Sequence, residues 1–121
     1  MPNQKQRGNR YEREVVKYVF ELFGLKAKTC RNESKELDDR KVDICGVPYN
    51  IQCKYGTQRG IKYNELLSDI KRLNPTRQYP TIIFHAKDRR KEENEIVIMS
   101  YKDFKRIIHD LKTTNGTGAT A

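Results

Sequence analysis

Apolar residues recur at helical spacing in three places along this chain, with short apolar runs between them. Tyr11, Val15, Tyr18, Val19 and Leu22 mark one face of a helix over about 10–23, closed by Gly24. Residues 25–30 suit a short strand, and 31–40, RNESKELDDR, carry only Leu37 as an apolar residue and predict a loop. Two short strands follow, about 41–45 and 49–54, joined by a turn at Gly46-Val47-Pro48. Tyr63, Leu66, Leu67, Ile70 and Leu73 predict a second helix, closed by Asn74-Pro75. The continuous run Thr81-Ile82-Ile83-Phe84 predicts a strand buried on both faces, and Glu95 to Met99 another. Ser100, with Asp103 three residues on, predicts the N-cap of a helix carrying Phe104, Ile107, Ile108 and Leu111 on its apolar face.

The order is α-β-β-β-α-β-β-α, an α/β fold with a mixed central sheet flanked by helices. One domain is expected over 9–112. Residues 1–8, MPNQKQRG, predict a basic flexible segment, and 113–121, TTNGTGATA, a disordered tail.

A length of 121 residues allows one modest core. The net charge of +9 and pI near 9.6 favour a polyanionic partner, because Lys and Arg that neutralise phosphates release condensed counterions. Cys30, Cys45 and Cys53 lack any C-x-x-C spacing and the two histidines, His85 and His109, lie far apart, which argues against structural zinc and for reduced thiols in a cytoplasmic protein. No apolar run reaches the about 20 residues that span a membrane, and the polar N-terminus carries no signal-peptide core.

Candidate chemistry is concentrated in VDICGVPYNIQCKYG, residues 42–56. Side chains alternate across a strand, so Val42 and Ile44 share one face with Asp43 on the other, and Ile51 and Cys53 share one face with Gln52 and Lys54 opposite. A tight hairpin can then set Asp43 beside Gln52 and Lys54 while Val42, Ile44, Ile51 and Cys53 enter the core. Phosphodiester hydrolysis needs such a mixture: oxygen ligands for Mg²⁺, and a Lys that positions the attacking water or offsets developing charge.

Asp43, eight intervening residues, then Gln52-Cys53-Lys54 resembles the signature of the PD-(D/E)XK nuclease superfamily, an acidic residue followed after a gap by (D/E)-X-K. Val42 stands where many members have Pro, and Gln52 where the usual residue is Glu or Asp. Residues 7–24, RGNRYEREVVKYVFELFG, are similar to the first helix of archaeal Holliday junction resolvases and related phage nucleases, with their basic, Gly-containing start and E-R-E-like motif. The resemblance implies a restriction-endonuclease-like fold and a homodimer that cleaves branched or junction DNA with Mg²⁺, or Mn²⁺ in its place. It implies that Glu12, Asp43 and Gln52 hold the metal and that Lys54 serves the attacking water. It also makes Ser34 a candidate for the hydroxyl residue on the loop after the first strand.

Each assignment has a plainer competitor. Glu12 fits a capping box begun at Asn9, and Asp43 fits a polar residue on an exposed sheet face. Lys54 draws its meaning wholly from Asp43 and Gln52. Asp38 and Asp39 read as solvated loop residues, either able to replace the charge missing at Gln52. His85 reads as a strand-end and His109 as a helix-surface histidine, neither with a chemical role. Lys5, Arg7 and Arg10 before the site, and Arg59 and Lys62 after it, are the candidate phosphate contacts. The competing functions are a non-catalytic nucleic-acid-binding module on the same fold and another phage-type nicking or restriction endonuclease.

Overall fold

The computed structural model describes residues 4–30, 36, 39–57, 59–75, 78–88 and 94–119. Within them the elements run α1 (Gln4–Phe23), β1 (Lys28–Thr29), β2 (Ile44–Cys45), β3 (Asn50–Tyr55), α2 (Tyr63–Leu73), β4 (Thr81–Ala86), β5 (Glu95–Ile98) and α3 (Tyr101–Ala119). This is the order the hydrophobic pattern predicts. The strands form one mixed sheet in the order β1-β2-β3-β4-β5. β1–β2, β2–β3 and β4–β5 pair antiparallel, whereas β3 and β4 run parallel from Asn50↔Thr81 to Tyr55↔Ala86. A parallel pair needs a crossover, and α2 supplies it.

Helices cover both faces of this sheet. Tyr11, Val15 and Val19 of α1 and Ile107 of α3 pack with Ile44, Ile51, Ile82 and Phe84. Leu67 and Ile70 of α2 pack with Cys30, Val42 and Ile83. All six residues of β4 are buried between the two layers, as its continuous apolar run requires. Val15 and Val19 lose all solvent contact, which stabilises the fold by about 2 kcal/mol for each side chain.

The helix ends follow from local chemistry. Gly24 stops α1 with φ at 69°, a left-handed conformation that suits glycine, and its N–H donates to the Phe20 carbonyl at 2.8 Å. The buried Asn74 closes α2: its Nδ2 donates to Ile70 O at 2.7 Å and to Arg40 O at 3.1 Å. The second bond ties the approach to β2 against that helix. Ser100 caps α3 as expected, its Oγ accepting from Asp103 N at 3.1 Å.

Several expectations are corrected. α1 starts at Gln4, so residues 4–8 are helical, and Glu12 lies well inside the helix, where the capping-box reading no longer applies. Leu22 is 59% exposed, and Phe23 instead packs inward, its ring 4.7 Å from that of Tyr49. α3 continues to Ala119 through the stretch expected as a disordered tail. The Thr113 hydroxyl donates to His109 O one turn back at 2.9 Å, beyond the last inward apolar residue of the helix, Leu111. The buried face of α3 is also rotated from the expected one: Asp103 and Ile107 point inward, while Phe104 and Ile108 are exposed. Val42 and Ile44 both enter the core, but on opposite sides of the sheet. Regular strand geometry in β2 is confined to Ile44–Cys45, so alternation does not extend back to Val42. Among the described residues no helix is long and apolar enough to cross a membrane.

Candidate active site

Asp43 stands where β2 and β3 diverge. Its backbone is held on both sides: Asp43 N donates to Ile51 O and Cys30 N donates to Asp43 O, each at 2.8 Å. The register between β2 and β3 is the single pair Ile44↔Ile51. Further along β3, Cys53 N donates to the Asp43 carboxylate, Oδ2, at 2.8 Å. The side chain of Asp43 therefore takes the place of a ladder carbonyl and lies beside the backbone of β3 at the fork. It is 8% exposed, which rules out a polar residue on a solvated face.

Gln52 meets Asp43 there, its Nε2 donating to Asp43 Oδ2 at 2.6 Å. The register slip that would have separated the two is therefore absent. Gln52 is itself 8% exposed, so the contact is largely shielded from water. Its amide oxygen is the end not engaged by Asp43. Lys54 follows two residues on, on the same face of β3. It lines an open groove of about 320 Å³ with Gly60, Ile61, Lys62, Glu65, Leu66 and Asp69. Hairpin geometry thus brings Asp43 and Gln52 into direct contact and sets Lys54 along the same strand face toward α2.

Glu12 approaches from the other layer. Its helix packs on the sheet face that carries Ile51 and Cys53. The electrostatic environment of Cys53 registers its position. Burial pushes the Cys53 thiol well above its usual range, and the carboxylates of Asp43, Glu12 and Glu95 add to the rise. Both Asp43 and Glu12 therefore lie near enough to Cys53 to act on it, Asp43 the more strongly. Glu95 is held by two tyrosines of α1, Tyr11 Oη donating at 2.8 Å and Tyr18 Oη at 3.4 Å. Burial and the neighbouring Glu95 raise the Tyr11 phenol, and the same causes push Tyr18 up to about 12, so both remain donors at neutral pH.

Among the described residues no three His, Cys, Asp or Glu side chains cluster to hold a metal ion. The expected set contains two carboxylates and an amide, and so differs from such a cluster in kind. Asp39 is exposed and, like Glu36, helical where a loop was expected, and Asp38 and Ser34 lie outside the described residues. Of the expected phosphate contacts, Arg10 is exposed and Arg7 half-buried on α1, Lys62 lines the groove, and Arg59 is exposed nearby in the chain. Lys5 falls in α1.

Sequence reasoning missed Glu95 and His85. Glu95 opens a strand that alternation alone would leave polar, and its tyrosine partners lie on a helix far away in the chain. His85 lies one residue from the end of β4, in keeping with its reading as a strand-end histidine, and is only 1% exposed. The signal available for it was its place directly after an apolar run. His109 is exposed on α3, as expected. Comparison with known protein families, characterised proteins and solved structures returns no match.

Proposed function

We propose that this chain is a metal-dependent DNA endonuclease on a restriction-endonuclease-like fold, with a site most like that of a Holliday junction resolvase. The observation that carries the reading is the 2.6 Å contact of Gln52 with Asp43 at the fork, with Lys54 next on the same strand face. The helix-first order and the parallel β3–β4 pair crossed by α2 support it, as does the net charge of +9.

Asp43 and the amide oxygen of Gln52, in contact at the fork, would hold Mg²⁺, or Mn²⁺ in its place; Glu12, whose helix covers the opposite sheet face, would have to reach the ion around the open edge of the fork. The set is oxygen-only, which suits a hard cation. Bound there, the ion supplies polarisation of the phosphate and a lowered pKa for the attacking water. Lys54 orients that water and offsets the negative charge that develops on the phosphate oxygens. The basic residues of α1, with Arg59 and Lys62, bind phosphates on either side. Resolvases make two symmetric nicks, which require two sites, so the resemblance implies that the active species is a homodimer.

A non-catalytic nucleic-acid-binding module is the second reading. Gln52 brings no charge, and its amide already engages Asp43 Oδ2. A phage-type nicking or restriction endonuclease would share the same site and differ only in substrate. Incubating the protein with four-way junction, duplex, flap and single-stranded DNA in Mg²⁺ or Mn²⁺ separates the three. The resolvase reading expects the junction to be cut fastest. Preference for linear duplex would transfer the site to another endonuclease.

Gln52→Glu tests the metal set without DNA. The substitution replaces the donated hydrogen bond by two facing carboxylates. In EDTA the variant should be less stable than wild type by about 2 kcal/mol, the size of a lost buried bond to a charged group. Mg²⁺ should raise its melting temperature more than that of wild type. Equal shifts for the two proteins would argue against metal at this position.

DNA affinity should be electrostatic. With four or five phosphate contacts it should fall on the order of a hundredfold between roughly 50 and 200 mM salt. Arg10→Ala or Lys62→Ala should lower the slope of log affinity against log salt by about one, with little dependence on sequence. A flat salt profile in a filter-binding or anisotropy titration would contradict this.

A further inference from the structure

His85 lies on β4 directly beside Lys54, its register partner on β3. Its ring is buried and bonded at both nitrogens. Nε2 lies 2.8 Å from Gly56 O, and Nδ1 lies 2.8 Å from Tyr63 Oη. A carbonyl only accepts, so Nε2 carries the proton. In the neutral ring Nδ1 is then the acceptor, and the Tyr63 hydroxyl donates to it. The two partners bracket the connection between β3 and α2. Gly56 is the residue just after β3, and Tyr63 is the first residue of α2.

Gly56 is fixed at both backbone groups, since its N–H donates to Ala86 O at 2.8 Å while its carbonyl accepts from His85. Its φ of 95° lies in a region that side chains rarely adopt, so the chain turns sharply there. Gly60, Ile61 and Lys62, between the two anchors, line the groove together with Lys54. An apolar residue would satisfy β4 at lower desolvation cost. A buried imidazole is favourable only with both nitrogens paired, and here the pairing fixes both ends of that stretch.

We propose that His85 is a positioning residue: with Tyr63 it clamps Gly56 and the start of α2, and so holds the groove beside Lys54 in one shape. The consequence for catalysis rests on the nuclease reading above, whereas the clamp itself does not. Substrate then meets a preformed groove beside the ammonium, and the reacting phosphate is aligned without ordering the connection at each turnover.

Tyr63→Phe removes only the hydroxyl and is the primary variant. His85→Phe removes both bonds, and His85→Gln can still donate to Gly56 O. Trypsin nicking after Arg59 and Lys62, measured well below the melting transition, reads the clamp directly. Tyr63→Phe and His85→Phe should be nicked about tenfold faster than wild type, with the rest of the chain still protected, because local opening is freed without global unfolding. His85→Gln should restore most of the protection.

In single-turnover DNA cleavage, Tyr63→Phe should be about tenfold slower, with DNA affinity in Ca²⁺ within about twofold of wild type, since misplacement affects the transition state more than binding. Nicking of Tyr63→Phe at the wild-type rate would overturn the proposal, even if His85→Phe fails to fold. A cleavage rate that falls only in step with affinity would equally overturn the positioning role. If wild-type protein cleaves no DNA, the nuclease reading fails, and the nicking rates still decide whether the clamp exists.

Discussion

Asp43→Ala should lower metal-dependent DNA cleavage by about a thousandfold or more, the rate equivalent of the several kcal/mol that metal polarisation contributes. Its carboxylate is the charged centre of the proposed metal site and the meeting point of Gln52 Nε2 and Cys53 N. Removing it takes away one of two charged ligands. DNA affinity, measured in Ca²⁺ so that no cleavage intervenes, should stay within about threefold, because binding depends on basic residues elsewhere. The fold should survive at reduced stability: the backbone N–H and C=O of Asp43 keep their bonds to Ile51 and Cys30, while Gln52 Nε2 and Cys53 N lose their acceptor. Lys54→Ala should likewise reduce rate more than affinity, as expected of a group that acts in the transition state. Equal cleavage by wild type and Asp43→Ala would place the active site elsewhere.

Asp103→Ala should destabilise the protein by about 3 kcal/mol and lower the melting temperature by about 10 °C. Asp103 is 4% exposed at the start of α3. Its Oδ2 accepts from Lys71 Nζ at 2.8 Å and from Thr81 N at 3.1 Å, joining α2, α3 and β4 at one oxygen. The substitution strands the Thr81 N–H and leaves the Lys71 ammonium without its partner. Lys71 is one-third exposed, so water relieves part of that loss and the expected cost lies at the low end for a broken buried pair. Asp103→Asn, which keeps an acceptor for Thr81 N, should recover about half of the stability. Thermal melts within about 1 °C of wild type for Asp103→Ala would show that the pair contributes nothing.

The same residue illustrates where sequence reading stops. Among the described residues, the sequence pattern gave the order of the five strands and three long helices, and α2 to its end residues, because Tyr63, Leu67 and Ile70 repeat at helical spacing and Asn74-Pro75 ends the pattern. Asp43 and Gln52 could also be paired in advance, since a tight hairpin leaves little choice of register even though alternation fails at Val42. The inward face of α3 could not. Phe104 and Ile108 are the apolar residues that hydropathy favours, yet the helix turns Asp103 inward because Lys71 and Thr81, distant in the chain, satisfy it. His85 escaped for the same reason: its partners Gly56 and Tyr63 come from a connection whose path the chain alone does not specify. Glu12 was legible as helical and not as to which sheet face its helix covers. What was lost in each case is a long-range polar contact, which leaves no local period.

The central claim concerns metal-dependent chemistry at the fork of β2 and β3, and a single time course tests it most directly. End-labelled four-way junction is incubated with purified protein in Mg²⁺, in Mn²⁺ and in EDTA, under conditions where the junction is bound. Cleavage is expected with either metal and none in EDTA. A junction that is bound yet left intact at every concentration of both metals would contradict the account and leave the chain a nucleic-acid-binding module.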